Sequence, residues 1–320
     1  MMRRSAATLA PATSKAAFIG LGAIGKVLAG RVALAPELAS LSVFQRRPQV
    51  GRELAAAHAG KVTAAADVAE AVRGAEVVFT CLPRSSDVKS VADAAIAGRA
   101  LAPGSVWIDC TSGDPTFAAA IAAMLDEEAG CTYVDAAVSG GPAGAAAGTL
   151  TAMLGAPEGS AHMEHARPLV AQFAKNIVHC GPVGSGFAIK AVNNAMMAAH
   201  ILIAAEGLTA LKQHNVPPEV ALAAINGSSG RSWATLQRIP DNVLSRKFDY
   251  NFSLELLNKD VQTCMTGVFA ADDPSKAGFP LLTLGAERVA QALEKLGGEA
   301  DHTEIVKLSE EETGTVLDRL

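Results

Sequence analysis

The chain has 320 residues, 50% of them hydrophobic and 4% aromatic, with a formal net charge of -5. That length suits about two domains with sizeable cores, and a negative balance without a basic stripe excludes a nucleic-acid backbone as partner. Cys81, Cys110, Cys131, Cys180 and Cys264 form no CxxC pair, and the seven histidines show no metal-ligand spacing. Neither a zinc site nor a disulfide framework is therefore expected, and the cytoplasm is the natural setting.

Residues 1–15 read as a tail. The first 36 residues carry no acid, and the opening MMRRSAATLAPATSK also has the composition of an organellar transit peptide. Residues 16–34, AAFIGLGAIGKVLAGRVAL, give an apolar run, a glycine turn and a helical pattern. In this GxGxxG spacing Gly20 makes the tight turn, Gly22 lets the backbone approach a pyrophosphate and Gly25 lets helix pack on strand; Leu21, Ala23 and Ile24 complete the turn. A diphosphate would sit at the positive end of that helix.

LSVFQRRP, residues 41–48, reads as the second strand, whose end faces the adenosine ribose in such folds. An acid there would bind the 2′-hydroxyl of NAD. Gln45 stands in its place, followed by Arg46 and Arg47. Two guanidinium groups and no repelling carboxylate match a 2′-phosphate, so NADP is expected in preference to NAD, with NAD still possible.

Residues 66–83 read as helix, turn and buried strand; 105–115 as a buried strand running into a polar turn; 132–155 as strand, glycine-rich loop and strand. The alternation specifies an α/β, Rossmann-type, doubly wound and mostly parallel sheet over residues 16–183, with ligands beyond the carboxyl ends of its strands. In Ser139-Gly140-Gly141, successive amides without side-chain bulk plus a hydroxyl can form a nest for a small carboxylate, or simply a turn.

Strand signals stop after Gly184. Residues 187–214, 217–226, 231–244, 252–271 and 280–296 read as helices, giving an all-α domain over 184–320 joined by a long interdomain helix. About 28 helical residues would span roughly 40 Å. Near the start of this helix Lys190 and Asn194 share a face, and the lysine is either a surface group or a proton-transfer group held in a cleft. No uninterrupted apolar run reaches membrane-spanning length. Ala195–Leu211, interrupted by His200 and Glu206, fits burial in a core or against a second subunit, and so a homodimer or homotetramer. Trp107 and Trp233 read as packing residues, Trp233 alternatively as a wall of a substrate pocket, and Arg231 as a surface ion-pair residue or an extra substrate contact.

FIGLGAIG (18–25), DAAVSGGPAGAAAGTL (135–150), GSGFAIKAVNNAM (184–196) and LLNKD (256–260) occur in the order that resembles the β-hydroxyacid dehydrogenase family, and within it the 3-hydroxyisobutyrate dehydrogenases, whose SSGR-aromatic stretch is similar to INGSSGRSW here. The resemblance covers nearly the whole chain beyond the tail. It implies an NAD(P)-dependent oxidoreductase interconverting a small 3-hydroxy acid and its semialdehyde. Lys190 matches the catalytic lysine and Asn194 its amide neighbour; Ser139, Gly140 and Gly141 match the loop for the substrate carboxylate, and Ser112 stands where relatives commonly have threonine. Leu82 and Pro83 match a cofactor-contacting turn, and Lys259 a residue closing on the nicotinamide end.

Three departures matter: Ile24 for methionine, Ala137 for proline, and Gln45 for the acid of NAD-dependent members. The last leans toward NADPH-using glyoxylate and succinic semialdehyde reductases, a rival reading. 6-Phosphogluconate dehydrogenase is disfavoured because AVNN (191–194) lacks its His-Asn pair, and imine reductases because they usually lack the lysine. A silent dinucleotide-binding interaction module is the reading from another class. No membrane partner and no metal are expected.

Overall fold

The computed structural model describes residues 14–157, 159, 161–269 and 278–319. The tail expected over 1–15 lies outside these residues up to position 13, and β1 already begins at Ser14. By internal contacts the chain divides into two compact units between Phe187 and Ala188.

In the first unit, β1 (Ser14–Ile19), β2 (Leu38–Phe44), β3 (Val62–Ala64), β4 (Val77–Thr80), β5 (Val106–Asp109), β6 (Thr132–Ser139), β7 (Leu150–Gly155) and β8 (Ala174–Gly181) form one sheet. Their order is β3-β2-β1-β4-β5-β6-β7-β8, and every pairing is parallel except β6 with β7. Side chains alternate across each strand. Ala16 and Phe18 of β1 therefore belong to one core, with Val43, Phe79 and Ile108, while Ala17 and Ile19 belong to the other, with Val78 and Trp107. Burial on both faces is why these strands read as continuous apolar runs.

The crossovers are α1 (Gly25–Val32), α2 (Pro48–Ala57), α3 (Val68–Val72), α4 (Ser85–Ala97), α5 (Pro115–Ala129), α6 (Gly141–Ala147) and α7 (Ala161–Val170). Helix α5 shows how sequence sets their ends. Asp114 caps the Thr116 amide at 2.8 Å, Pro115 fits the first turn, and Gly130 stops the helix in the left-handed region at φ 59°. Where a glycine-rich loop is expected after β6, the chain forms α6: GPAGAAA places Pro142 in the first turn, ahead of good helix formers.

α8 (Ser185–Gln213) is the expected long helix, and the division between the units falls inside it. By length and composition it could cross a bilayer, but charged residues interrupt it as the sequence shows, and 44% of its most apolar window is buried within the protein. Ala198, Ile201, Leu202, Ala205 and Leu208 supply that buried side, packing in a core with Ile239, Leu257 and Val289.

The second unit also contains α9 (Pro218–Asn226), α10 (Leu254–Thr263), α11 (Pro280–Leu296) and α12 (Lys307–Thr313). Two expected helices differ. Residues 231–244 hold a π-helix, Ala234–Val243, in which Pro240 cannot donate and the Leu244 amide bonds Ile239 O at 2.8 Å. Residues 252–271 break into α10 and a second π-helix, Cys264–Val268; positions 270 and 271 lie outside the described residues.

Candidate functional site

In the first unit the sheet order reverses between β1 and β4, so the turns following these strands flank the crevice where such sheets hold ligands. Gly20 adopts φ +96°, and a Cβ there would lie 2.3 Å from Cys81 O; at Gly25 it would lie 2.0 Å from Gly20 O. Neither position admits a side chain. A Cβ on Gly22 would meet nothing within 4 Å, so this backbone is open to an approaching group. No side chain caps α1 at Ile24. An uncapped helix start behind a bare glycine turn fits the diphosphate of a dinucleotide. Leu21, Ala23 and Ile24 lie in the same turn.

Gln45 is less simple than its position at the ribose end suggests. Its Oε1 accepts the Leu21 amide at 3.1 Å and ties the end of β2 to the glycine turn. Arg46 and Arg47 are exposed, Arg47 at the N-cap of α2. The Leu82 amide donates to Thr111 Oγ1 at 3.0 Å, so the Leu82-Pro83 turn is tied to the strand end preceding Ser112.

The sequence reading missed what holds these turns. Asp109, fully buried at the end of β5, accepts from Thr80 Oγ1 at 2.9 Å, the Thr111 amide at 3.0 Å and Tyr133 OH at 2.7 Å. Trp107 Nε1 donates to Thr80 Oγ1 at 3.0 Å, confirming Trp107 as a packing residue. Burial raises the Asp109 pKa while the hydrogen bonds pull it back, and burial likewise raises Tyr133. The signal was present: an acid inside VWID, a run buried on both faces, needs partners.

Asp135 is the second missed acid. Its Oδ1 accepts the Gly184 amide at 2.6 Å and its Oδ2 the Phe187 amide at 2.9 Å, binding the beginning of α8 to β6. A Cβ on Gly155 would fall 2.2 Å from Asp135 Oδ1, and one on Gly186 2.2 Å from Met153 O, so this approach requires both glycines. Burial pushes the Asp135 carboxyl up to about 6 against the pull of the two amides. Farther along β6, Ser139, Gly140 at φ 132° and Gly141 at φ 67° form the turn into α6, with backbone angles that glycine supplies.

In the second unit α8 and α10 bring together five polar residues. Lys190 Nζ donates to Asn194 Oδ1 at 3.1 Å, as does Asn193 Nδ2 at the same distance. Asn194 Nδ2 donates to Asp260 Oδ2 at 2.6 Å, and Lys259 Nζ lies 2.9 Å from Asp260 Oδ1. Two donors on one end and a carboxylate on the other fix the Asn194 amide orientation. Asn194 and Asp260 are 3% and 4% exposed, so the chain is sheltered from competing water. Burial lowers the Lys190 pKa from 10.5; Asp260 opposes this and Lys259 reinforces it. The arrangement can therefore hold an amine that exchanges its proton more readily than free lysine. Asp260 was legible only as part of LLNKD, since its partner lies 66 residues away.

Arg231 is exposed, whereas Arg238, which the sequence did not single out, is 6% exposed; Trp233 is 53% exposed, with one face toward Arg238. No group of three or more His, Cys, Asp or Glu residues suited to a metal occurs among the described residues.

A family profile described as the NAD binding domain of 6-phosphogluconate dehydrogenase matches residues 15–181, and one described as NAD-binding of NADP-dependent 3-hydroxyisobutyrate dehydrogenase matches 184–309. The 2-(hydroxymethyl)glutarate dehydrogenase of Eubacterium barkeri is 32% identical over 305 residues, covering 94% of this chain and 96% of that protein. The NAD-dependent L-serine dehydrogenase of Pseudomonas aeruginosa is 34% identical over 280 residues, 84% of this chain and 90% of that one. Among solved structures, 3-hydroxyisobutyrate dehydrogenase from Mycobacterium tuberculosis with L-serine superposes with a TM-score of 0.80 at 28% identity, over 92% of this chain and 99% of that one.

Proposed function

The chain belongs to the β-hydroxyacid dehydrogenase family and is an NAD(P)-dependent hydroxyacid oxidoreductase, and on that premise we propose that it interconverts a small 3-hydroxy acid and its semialdehyde, with Lys190 moving the proton. The observation that carries this reading is the chain from Lys190 through Asn194 to Asp260. When bound, the nicotinamide accepts or supplies the hydride. Lys190 in its neutral form takes the proton of the alcohol in oxidation, and as ammonium returns it to the carbonyl oxygen in reduction. Asn194 cannot transfer a proton at neutral pH; it holds the amine, and Asp260 holds Asn194. Ser139, Gly140 and Gly141 supply the nest for the substrate carboxylate, beside Ser112.

The compounds named for the relatives support a primary alcohol β to a carboxylate: 2-(hydroxymethyl)glutarate and L-serine both contain that unit. Arg46 and Arg47 without an acid at Gln45 support NADP over NAD, and the same feature favours, as a second reading, an NADPH-dependent reductase of glyoxylate or succinic semialdehyde. Leu82, Pro83 and Lys259 are assigned to the cofactor. A panel of 3-hydroxy acids and small aldehydes run with both cofactors decides between the readings. Turnover of 3-hydroxy acids supports the first, turnover of glyoxylate or succinic semialdehyde alone supports the second, and cofactor binding without any turnover would contradict both.

The exposed side of the second unit supports a homo-oligomer. Met196 and Ile203 of α8 and Leu281 and Leu284 of α11 are 47%, 68%, 80% and 56% exposed, and the two helices approach closely where Gly285 faces Ala199. Such a surface is suited to a second copy, giving a dimer or tetramer. Sedimentation at micromolar concentration is expected to show it; a monomer, or an Ile203→Glu variant with unchanged mass, would contradict it. Five free thiols suit a reducing cytoplasm.

A further inference from the structure

The π-helix Ala234–Val243 carries a second buried cation that the proton-transfer chain does not use. Its i→i+5 geometry stacks Arg238 on Trp233, five residues earlier: the guanidinium carbon is 5.8 Å from the indole centroid. On the other side it lies 3.5 Å from the Tyr250 ring centroid. Tyr250 is in turn backed by the buried His302 ring at 5.2 Å. A guanidinium held against aromatic faces can move little, and its in-plane N–H edge remains the direction for recognition.

One donor of that edge lacks its complement. Arg238 is 6% exposed, and its Nε is buried with no hydrogen-bond partner. The nearby acids do not fill the role. Asp301 spends Oδ1 on the Thr303 amide at 3.0 Å and the Thr303 hydroxyl at 2.6 Å, and Oδ2 on the Asn251 amide at 2.9 Å. Asp241, on the same π-helix, is exposed. Both act on Arg238 through the field alone, whereas Tyr250 also hydrogen-bonds its side chain; burial lowers the Arg238 pKa while Tyr250, Asp301 and Asp241 oppose that change. An arginine stays charged under such a shift, so the unit buries a cation without a direct counter-ion. The segments carrying Arg238 and Lys190 contribute to one core: Ala191 and Ala195 flank the proton-transfer pair, and Ala234 and Ile239 flank the guanidinium.

We infer that Arg238, clamped between Trp233 and Tyr250, is a specificity-determining residue that receives a second carboxylate, so that the substrate is a hydroxy acid with two acidic groups. This rests on the hydroxyacid reading above and narrows it. A planar carboxylate is the anion whose two oxygens match a guanidinium edge, and a bidentate pair also fixes the orientation of what it binds. A monocarboxylate would leave the cation unpaired, as it is in the free protein, and so would forgo the affinity of that pair.

Two measurements test this. In the first, kcat/KM is compared for hydroxy acids matched in carbon number that carry one or two carboxylates, in the wild type, Arg238→Gln and Arg238→Lys. The wild type is expected to favour the dicarboxylate at least tenfold; that ratio should collapse at least tenfold in Arg238→Gln and recover partly in Arg238→Lys. A wild type that favours monocarboxylates, or an Arg238→Gln variant with an unchanged ratio, would overturn the assignment. In the second, glutarate and valerate are titrated against the indole fluorescence of the NADP-bound protein, with Trp233→Phe identifying the signal. Glutarate alone should alter it, and Arg238→Gln should abolish the change with melting temperature retained; an equal response to valerate, or no response to glutarate, would overturn the site. If the wild type oxidises no hydroxy acid at all, the reading of the reaction fails, and the glutarate titration still decides the anion site.

Discussion

The buried acids of the first unit and the sheltered cations of the second illustrate opposite uses of charge. Asp109 and Asp135 have their oxygens occupied: Asp109 by two hydroxyls and an amide, Asp135 by the amides that begin α8. Each is a fastener. Lys190 has three donors and donates to Asn194, and Arg238 keeps a buried Nε without an acceptor. A charge whose partners are complete stabilises the fold, whereas one held in place with donors left over is prepared for something that comes and goes.

If this contrast holds, substitutions in the two units should separate turnover from stability. The largest effect is expected at Lys190. Lys190→Ala should lose roughly 10²–10⁴-fold in kcat, the usual range for a general acid–base group, with the melting temperature little changed. In the wild type, kcat/KM for alcohol oxidation should rise with pH as the amine loses its proton, through a value below the ordinary 10.5, and reduction should show the opposite trend. Asp260→Ala comes next. It leaves Asn194 Nδ2 without its acceptor and removes the Lys259–Asp260 contact, and a misheld amine should lower kcat by roughly 10–100-fold, equivalent to about 1.4–2.8 kcal/mol. An Asp260→Ala enzyme that loses stability but keeps kcat would move Asp260 to the fasteners.

Asp135→Asn should do the reverse, costing about 1–3 kcal/mol of stability because an amide N–H then faces a backbone N–H. Its pH dependence has a definite sign. The folded carboxyl titrates at about 6 against an ordinary 3.8, so the fold binds this proton more tightly than the unfolded chain. The stabilisation is complete below 3.8 and is lost as pH rises through about 6, so the deficit of the variant should be greater at pH 5 than at pH 8. Denaturant melts at the two pH values check this, and equal deficits would contradict it. The smallest effect belongs to Arg46, an exposed side chain whose ion pairing is screened by solvent. Arg46→Ala should weaken NADPH about fivefold and NADH hardly at all, as measured by fluorescence titration.

Much of this was legible from sequence where local rules dominate. The glycine turn, the alternating strands and the long helix each follow from spacing within one segment. Lys190 and Asn194 share a helix face and could be paired by counting. The π-helices were not legible, because Pro240 and the packing around Ile239 override a pattern that counts as ordinary helix. Asp260 and Asn194 are far apart in sequence, Arg238 and Tyr250 lie on different segments, and tertiary packing makes these pairs. Asp109 and Asp135 could have been found: each is a lone acid in a strand otherwise buried on both faces, and such a residue needs partners.

The central claim is that Lys190 moves the proton, and chemical rescue tests it most directly. Small alkylamines added to Lys190→Ala should restore part of the lost oxidation rate, more strongly as the amine becomes more basic, while leaving the wild type unchanged. A Lys190→Ala enzyme with wild-type turnover, or one that no amine restores although it binds cofactor and substrate normally, would contradict the assignment.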